Sequence, residues 1–222
     1  MSRARDLADG ADKDITGTLT TDGLTVAGNV SVDGGTIKLD GNYPTGTNNV
    51  ALGNTALDDG SLSGGSNTAI GNAALTANTS GEHNTATGRD ALEANTTGSN
   101  NTAHGSLALE SNSTGGNNTA AGYTALRFCT TGSFNVAVGS VAMQANTTGA
   151  SNTAVGYAAL DANTTGDSNT AIGQGSLGTQ TNGANNVAVG RSAMNANTTG
   201  KSNTAVGYEA LFSYDVTDND HD

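Results

Sequence analysis

A short pattern of polar and apolar residues recurs along most of the chain. It consists of Asn, Thr or Val, Ala, a mostly apolar residue and Gly, and it begins at Asn49, Asn67, Asn84, Asn101, Asn118, Asn135, Asn152, Asn169, Asn186 and Asn203. Alternation of this kind has the period of two that is typical of a β-strand. The pattern therefore predicts ten short strands, with the second and fourth side chains on one face and the third on the other.

The copies follow one another at a nearly constant spacing. The first step, from Asn49 to Asn67, is one residue longer than every later step. A period of about 17 residues is too short for a helical hairpin or a propeller blade. We therefore expect an all-β protein in which each copy forms one rung of a parallel β-solenoid. Each strand would pair with the equivalent strands above and below it, at a rise of about 4.8 Å per rung.

The remainder of each rung predicts a corner, a second strand and a closing turn. The ninth position is Leu or Met in every copy, and most rungs close with Thr-Thr-Gly. This Gly is predicted to supply a positive φ at the turn. Three residues before it an Asn recurs, at Asn78, Asn95, Asn112, Asn146, Asn163 and Asn197, and stacked amides predict a hydrogen-bonded ladder along the rod.

The composition leaves each rung a small core. Hydrophobic residues make up 34% of the chain and aromatic residues 4%, with 32 Gly and no Trp. Such a core gives little stability alone. The third position is Ala in all ten copies, and this stripe is predicted to face neighbouring chains, because small side chains let backbones approach closely. We therefore expect a homo-oligomer.

The repeat resembles one in a known family. Asn-Thr-Ala-Ile-Gly-Asn-Ala-Ala at 67–74 and Asn-Thr-Ala-Val-Gly-Tyr-Ala-Ala at 152–159 resemble the repeat of trimeric autotransporter adhesin (YadA-like) heads, which also occurs in phage tail fibres. The resemblance implies a left-handed parallel β-roll and a homotrimer. It further implies that Thr153 and Val155 point into the coil, whereas Ala154 and Ala159 are the small residues between chains.

The flanks divide the chain into four predicted parts. Residues 1–14 are a charged segment for virion attachment, 15–44 a β-rich shaft segment ending at Pro44, 45–213 the repeat domain, and 214–222 an acidic tail. The shaft segment looks like the N-terminal part of many phage fibre proteins. The first segment lacks the apolar core of a secretory signal, and the chain has no apolar run of about 20 residues for a membrane span. These features favour a virion location over a bacterial cell surface.

Few residues offer catalytic or metal-binding chemistry. The chain has His83, His104, His221 and a single cysteine, Cys129. Cys129 stands in the Asn ladder and is interpreted as a tolerated small residue. His104 is interpreted as a packed or axis-facing structural histidine, with an ion site around a threefold axis as the alternative. We predict no catalytic, metal-binding or cofactor-binding residues and no cofactor.

Charge and the variable positions bear on the partners. The net charge of −12 disfavours binding to nucleic acid or to an anionic membrane surface. The sixth position of the rung is Tyr in three copies, at Tyr123, Tyr157 and Tyr208. A tyrosine there can stack on a sugar, pack between subunits or simply face solvent.

These observations predict a non-enzymatic, homotrimeric virion protein. As a tail fibre or similar appendage, it would present or form an adhesin. Its partners would be other tail or fibre proteins, through the N-terminal segment, and a host cell-surface receptor, for which a glycan is one candidate.

The alternatives are a fragment of a bacterial trimeric adhesin, a polysaccharide-degrading tailspike and an ice-binding solenoid. A tailspike needs paired carboxylates, but acids are scarce in the rungs: Glu93, Glu110 and Asp161 share the tenth position and are spread along the rod. Ice binding needs a flat repeated Thr array. The second position supplies one that is broken by Val50, Val136 and Val187, and the expected inward direction of those threonines argues against this function.

Overall fold

The structure is a computed structural model that describes residues 47–213. The predicted segments 1–14, 15–44 and 214–222 lie outside the described residues. Within the described range the chain is all-β and forms a parallel solenoid, with about 17 residues in each repeating rung. The predicted fold class is confirmed at this level.

Ten strands of three residues form one sheet, and they are paired in the order of the sequence. The register follows the repeat without a slip, so that Ala137 lies opposite Ala154 and Ala154 opposite Ala171. The strands are β1 Val50–Leu52, β2 Thr68–Ile70, β3 Thr85–Thr87, β4 Thr102–His104, β5 Thr119–Ala121, β6 Val136–Val138, β7 Thr153–Val155, β8 Thr170–Ile172, β9 Val187–Val189 and β10 Thr204–Val206.

The fifth-position Gly ends each strand. Gly156 has a φ of 133°, a value that favours glycine strongly because a side chain would clash with the backbone. A Cβ atom built on Gly156 would also lie 2.7 Å from the carbonyl carbon of Gly173 on the next rung. Both the turn and the close approach of neighbouring rungs therefore require glycine at this position.

The predicted inside and outside of the strand are reversed. The third-position alanines of β2 to β9, including Ala154, are fully buried within the coil, and only Ala51 in the first rung is exposed. Thr153 and Val155, by contrast, lie on the outer side of the coil with partial exposure. Ala159 is fully buried as well. These two alanines are thus core residues of a single chain and do not form a surface between chains. The ninth-position Leu160 completes the core, so the narrow coil has room for one large side chain and two small ones.

The expected second strand of each rung is absent from residues 47–213. The backbone between the sixth position and the closing turn forms turns, with residues such as Ala158 and Leu160 at φ values of 52° and 54°. This left-handed conformation is incompatible with an extended strand. The segment still bonds from rung to rung, because the Leu160 N–H donates to the carbonyl of Ser176 at 2.9 Å.

The closing-turn glycines are needed for space, which corrects the predicted role in a positive-φ turn. Gly149 is not among the residues with positive φ. A Cβ atom on it would lie 2.4 Å from Asn146 Oδ1 and 2.5 Å from the Gly166 carbonyl oxygen. Contacts this short do not occur between real atoms, so the stacking of rungs excludes any side chain here.

The predicted Asn ladder of the closing turns is confirmed. Asn95 Nδ2 donates to Asn78 Oδ1 at 2.8 Å, and Asn112 Nδ2 donates to Asn95 Oδ1 at the same distance. Each of these amides also donates to the Gly carbonyl three residues later, as Asn95 does to Gly98 at 3.0 Å. Because the amides are buried, these bonds supply the partners that buried polar groups require.

The first-position asparagines form a second ladder that sequence reasoning missed. Asn152 donates its backbone N–H to Asn135 Oδ1 at 3.0 Å and its Nδ2 to the Gly166 carbonyl at 2.8 Å. The Asn152 Oδ1 in turn accepts from the backbone N–H of Asn169 on the next rung at 2.9 Å. One side chain therefore links the strand of the next rung to the closing turn of its own rung. This double role accounts for an Asn at the start of every copy.

Candidate interaction surfaces

The outer side of the sheet forms a surface that we name the strand face. It consists of two columns of side chains, one from the second position and one from the fourth position of each rung. Val136 and Val138 are 37% and 40% exposed. The second-position column is Val50, Thr68, Thr85, Thr102, Thr119, Val136, Thr153, Thr170, Val187 and Thr204, and the fourth-position column is Leu52, Ile70, Thr87, His104, Ala121, Val138, Val155, Ile172, Val189 and Val206.

The strand face carries no Asp, Glu, Lys or Arg at any of the ten rungs, although the chain has a net charge of −12. The nine intervals between its strands make it roughly 43 Å long. A continuous uncharged patch of this length on a strongly acidic chain has the composition of a contact surface.

His104 is the single titratable side chain on the strand face. It is exposed in the fourth-position column, between Thr87 and Ala121 of the neighbouring strands. Because the fourth position points outward, the predicted packing of His104 within the single chain is wrong, and its axis-facing placement stays a prediction.

The sixth-position side chains form a third column, beside the strand face. Tyr123, Tyr157 and Tyr208 are 57%, 59% and 64% exposed. Arg191 lies over the Tyr208 ring, with 5.6 Å between the guanidinium carbon and the ring centroid. The three tyrosines thus present aromatic surface to solvent, and only Tyr208 has a cation above its ring among the described residues.

The tenth-position carboxylates differ in their surroundings. Partial burial and the nearby acids Asp90 and Glu110 raise the pKa of Glu93. Glu110 forms an ion pair with Arg127 of the next rung. Burial also raises the pKa of Asp161, which lies three rungs beyond Glu110 along the repeat. The structure therefore brings Glu93 and Glu110 to adjacent rungs and leaves Asp161 apart from them.

Cys129 interrupts the closing-turn ladder. Its Sγ is buried, 3.5 Å from the Gly132 carbonyl oxygen and 3.8 Å from Asn146 Nδ2. Asn112 Oδ1, which would accept a hydrogen bond from an asparagine at this position, has no partner. Burial raises the thiol pKa to about 11, so the thiol is protonated at neutral pH and is a poor nucleophile.

Across residues 47–213 there is no group of three or more His, Cys, Asp or Glu side chains arranged to hold a metal ion. Nor does this range contain a helix of the length and apolar character needed to cross a membrane. Comparisons of the chain with protein-family models, curated proteins and solved structures give no match.

Proposed function

We propose that this chain is a non-enzymatic structural protein that self-associates through its strand face into a homotrimeric fibre. The uncharged strand face is the observation that carries the proposal. Two columns of Thr, Val and other mainly aliphatic residues remain exposed or partly exposed along the rungs. Burying apolar area at about 25 cal/mol per Å² favours association, and no charged pair has to be desolvated in the process.

The small core of each rung supports the same proposal. A single chain buries one Leu or Met and two small residues in a typical rung, together with two hydrogen-bonded asparagines. Association would add the strand face to the area removed from water. The number of three chains comes from the resemblance of the repeat to trimeric autotransporter adhesin heads, in which solenoids of this kind stand side by side.

The proposed location is a virion, where the chain serves as a tail fibre or similar appendage for host recognition. The resemblance of the repeat and of the shaft segment 15–44 to phage fibre proteins supports this location. Its partners would be other tail proteins and a receptor on the host surface. The bacterial surface adhesin is the alternative location for the same assembly.

The absence of enzymatic activity is part of the proposal. Glu110, one of the two carboxylates on adjacent rungs, is engaged by Arg127. Glycoside hydrolysis requires two carboxyl groups that flank one bond, with one of them acting as a general acid and the other as a nucleophile or base. The ion pair holds Glu110 away from such a role.

The test is the mass of the chain in solution, measured by light scattering. We expect three times the chain mass of 21.8 kDa. Val138→Arg places a charge in the middle of the strand face and is expected to yield folded monomers, as judged by an unchanged circular dichroism spectrum. Thr148→Arg is the matched control, since Thr148 is exposed in a closing turn, and it should leave the trimer intact. A stable wild-type monomer refutes the proposal.

A second candidate function, ice binding, gains from the outward direction of the second-position column. Thr153 and Thr170 lie in register on adjacent strands, both on the outer side of the coil, so the expectation that they point inward no longer argues against it. A monomer that shows thermal hysteresis, lost on Thr153→Arg, would favour ice binding over self-association.

A further inference from the structure

Tyr123 and Tyr157 stand two rungs apart on a regular backbone. The Val141 N–H donates to the Tyr123 carbonyl at 2.9 Å, and the Gly175 N–H donates to the Tyr157 carbonyl at 3.0 Å. Each of these sixth-position carbonyls therefore accepts a hydrogen bond from the seventh residue of the next rung, which holds the sixth positions of successive rungs in one column. At about 4.8 Å per rung, the two tyrosine backbones are separated by about 9.6 Å.

The residue between the two tyrosines is small. Ser140 occupies the sixth position of the intervening rung, with Ser106 before Tyr123 and Gln174 after Tyr157. Two exposed aromatic side chains are thus separated by a hydroxyl group and flanked by a hydroxyl and an amide. Aromatic surface with hydrogen-bonding groups beside it is the combination that binds sugar rings, which have apolar faces and hydroxyl edges.

The surroundings of the pair fit an uncharged ligand. Between Arg89 and Arg191 the sixth-position column contains no charged residue. Arg127, four residues after Tyr123, is paired with Glu110 and lies over the Phe128 ring at 5.0 Å. Its charge is therefore already balanced within the chain.

We propose that Tyr123 and Tyr157 form a platform for an extended, uncharged β-linked glycan of the cellulose or chitin type. In such a chain every second sugar ring has the same orientation, and the length of this two-sugar repeat is close to the two-rung spacing of the tyrosines. Each phenol ring stacks on one of two alternate sugars, while the sugar between them lies over Ser140. The inference rests on the proposed function, because it names the chemical class of the receptor.

Tyr208 provides an internal comparison. It occupies the same rung position but lies three rungs beyond Tyr157, which does not match the two-sugar repeat. The Arg191 guanidinium also lies over its ring, with 5.6 Å between the guanidinium carbon and the ring centroid. Tyr208 is thus a tyrosine of similar exposure at a distance from Tyr157 that does not match the two-sugar repeat.

The experiment is a calorimetric titration of the full chain with cellohexaose and chitohexaose, and with maltohexaose as a curved, α-linked control. We expect at least one of the two β-linked hexamers to bind and maltohexaose not to bind. Tyr123→Ala and Tyr157→Ala should each weaken binding about tenfold, which corresponds to the loss of one stacked ring. Tyr208→Ala should remain within about twofold of the wild type, and Tyr157→Phe should retain most of the affinity because it keeps the ring.

Four results would overturn the inference: no binding of either β-linked hexamer, equal weakening by Tyr208→Ala, cleavage of the bound hexamer, or a Tyr157→Ala variant that loses its oligomeric mass. The last result would show the ring to be an interface group. Light scattering on each variant separates this inference from the proposed function. A trimer that binds no glycan refutes the glycan platform and leaves the assembly standing, whereas a monomer that binds the hexamer refutes the assembly alone. Chromatography of the ligand after incubation completes the test, since intact hexamer supports a binding platform and shorter products would make the site a hydrolase.

Discussion

Replacing Cys129 with Asn should stabilise the protein, because Cys129 interrupts a ladder of buried amides that is otherwise continuous around it. On one side of the gap, Asn112 Nδ2 donates to Asn95 Oδ1 at 2.8 Å, and on the other, Asn163 Nδ2 donates to Asn146 Oδ1 at 2.9 Å. At the gap, Asn112 Oδ1 has no partner. Asn146 Nδ2 keeps its bond to the Gly149 carbonyl at 3.0 Å, but along the ladder it meets the thiol sulfur at 3.8 Å in place of an amide oxygen.

The size of the effect follows from the bonds that the new amide would make. By analogy with its neighbours, the introduced asparagine would donate to Asn112 Oδ1 and to the Gly132 carbonyl and would accept from Asn146 Nδ2. Relieving one buried unpaired acceptor is worth about 1 to 3 kcal/mol, and replacing one weak sulfur contact by an amide bond about 0.5 to 1.5 kcal/mol. Burial of the new amide offsets part of this gain. We therefore expect the free energy of unfolding to rise by about 1 to 2 kcal/mol, or the melting temperature by about 2 to 8 °C for an array of this length.

Thermal and urea unfolding, followed by circular dichroism, measure the change. Cys129→Ala separates the loss of the thiol from the repair of the ladder, and it should not stabilise. Asn95→Cys creates the same defect elsewhere, because it leaves Asn78 Oδ1 without its donor, and it should destabilise by about 1 to 2 kcal/mol. If Cys129→Asn proves neutral while Asn95→Cys is harmless, the ladder does not contribute to stability and the reasoning fails.

Three further predictions concern the core and the turns. Gly149→Ala should cost about 2 to 4 kcal/mol of unfolding free energy and lower the melting temperature sharply, because the new Cβ would overlap backbone and amide oxygens. Gly60→Ala is the control and should be nearly silent in the same assay, since a Cβ atom on Gly60 would have no atom within 4 Å. Ala154→Val should cost about 1 to 3 kcal/mol of unfolding free energy through overpacking, and Ala150→Val, in a partly exposed turn, much less. The raised pKa of Cys129 predicts a contribution to the free energy of unfolding that is fully present below the ordinary thiol pKa of 9.0 and is lost as the pH rises towards about 11, since only the unfolded thiol ionises in this range. Urea titrations should therefore give unfolding free energies for the wild type and Cys129→Ala that converge between these pH values. Parallel curves would contradict the shift.

The stacking of rungs was predictable because the period of the repeat is visible in the sequence. A step that stays constant after the first copy admits few architectures, and the recurrent Asn predicted the closing-turn ladder. The recurrence of Leu or Met at the position of Leu160 likewise indicated a core position, and each of these residues is buried except Leu211 in the last rung.

The direction of the strand faces was not predictable from alternation alone. A period of two shows that Ala154 lies opposite Thr153 and Val155, but it does not show which side is inside. The answer depends on the width of the coil, and the left-handed backbone at Leu160 makes that coil narrow. Only alanine fits beside the leucine, so the larger β-branched residues point outward.

The closing-turn glycines show a second limit of sequence reasoning. Within one rung, Gly149 resembles an ordinary turn glycine, whose expected role is a positive φ. Its actual requirement comes from the Gly166 carbonyl of the next rung. Contacts between rungs are set by the stack as a whole and leave no separate signal in the sequence of one copy.

Register between strands has a consequence for how such a chain changes during evolution. Each rung meets its neighbours through the same pairs, as Ala137 meets Ala154 and Ala154 meets Ala171. Deletion or duplication of one complete rung brings two equivalent rung surfaces together, so that the remaining strands still pair in register and the amide ladders still connect. Most insertions or deletions of another length would shift the register and move a buried alanine into solvent. The single longer step, from Asn49 to Asn67, is accommodated near Leu62, in the turn region of the first rung. The gene can therefore lengthen or shorten the rod in increments of about 4.8 Å, so that reach is adjusted by recombination while the surface chemistry of the remaining rungs stays unchanged.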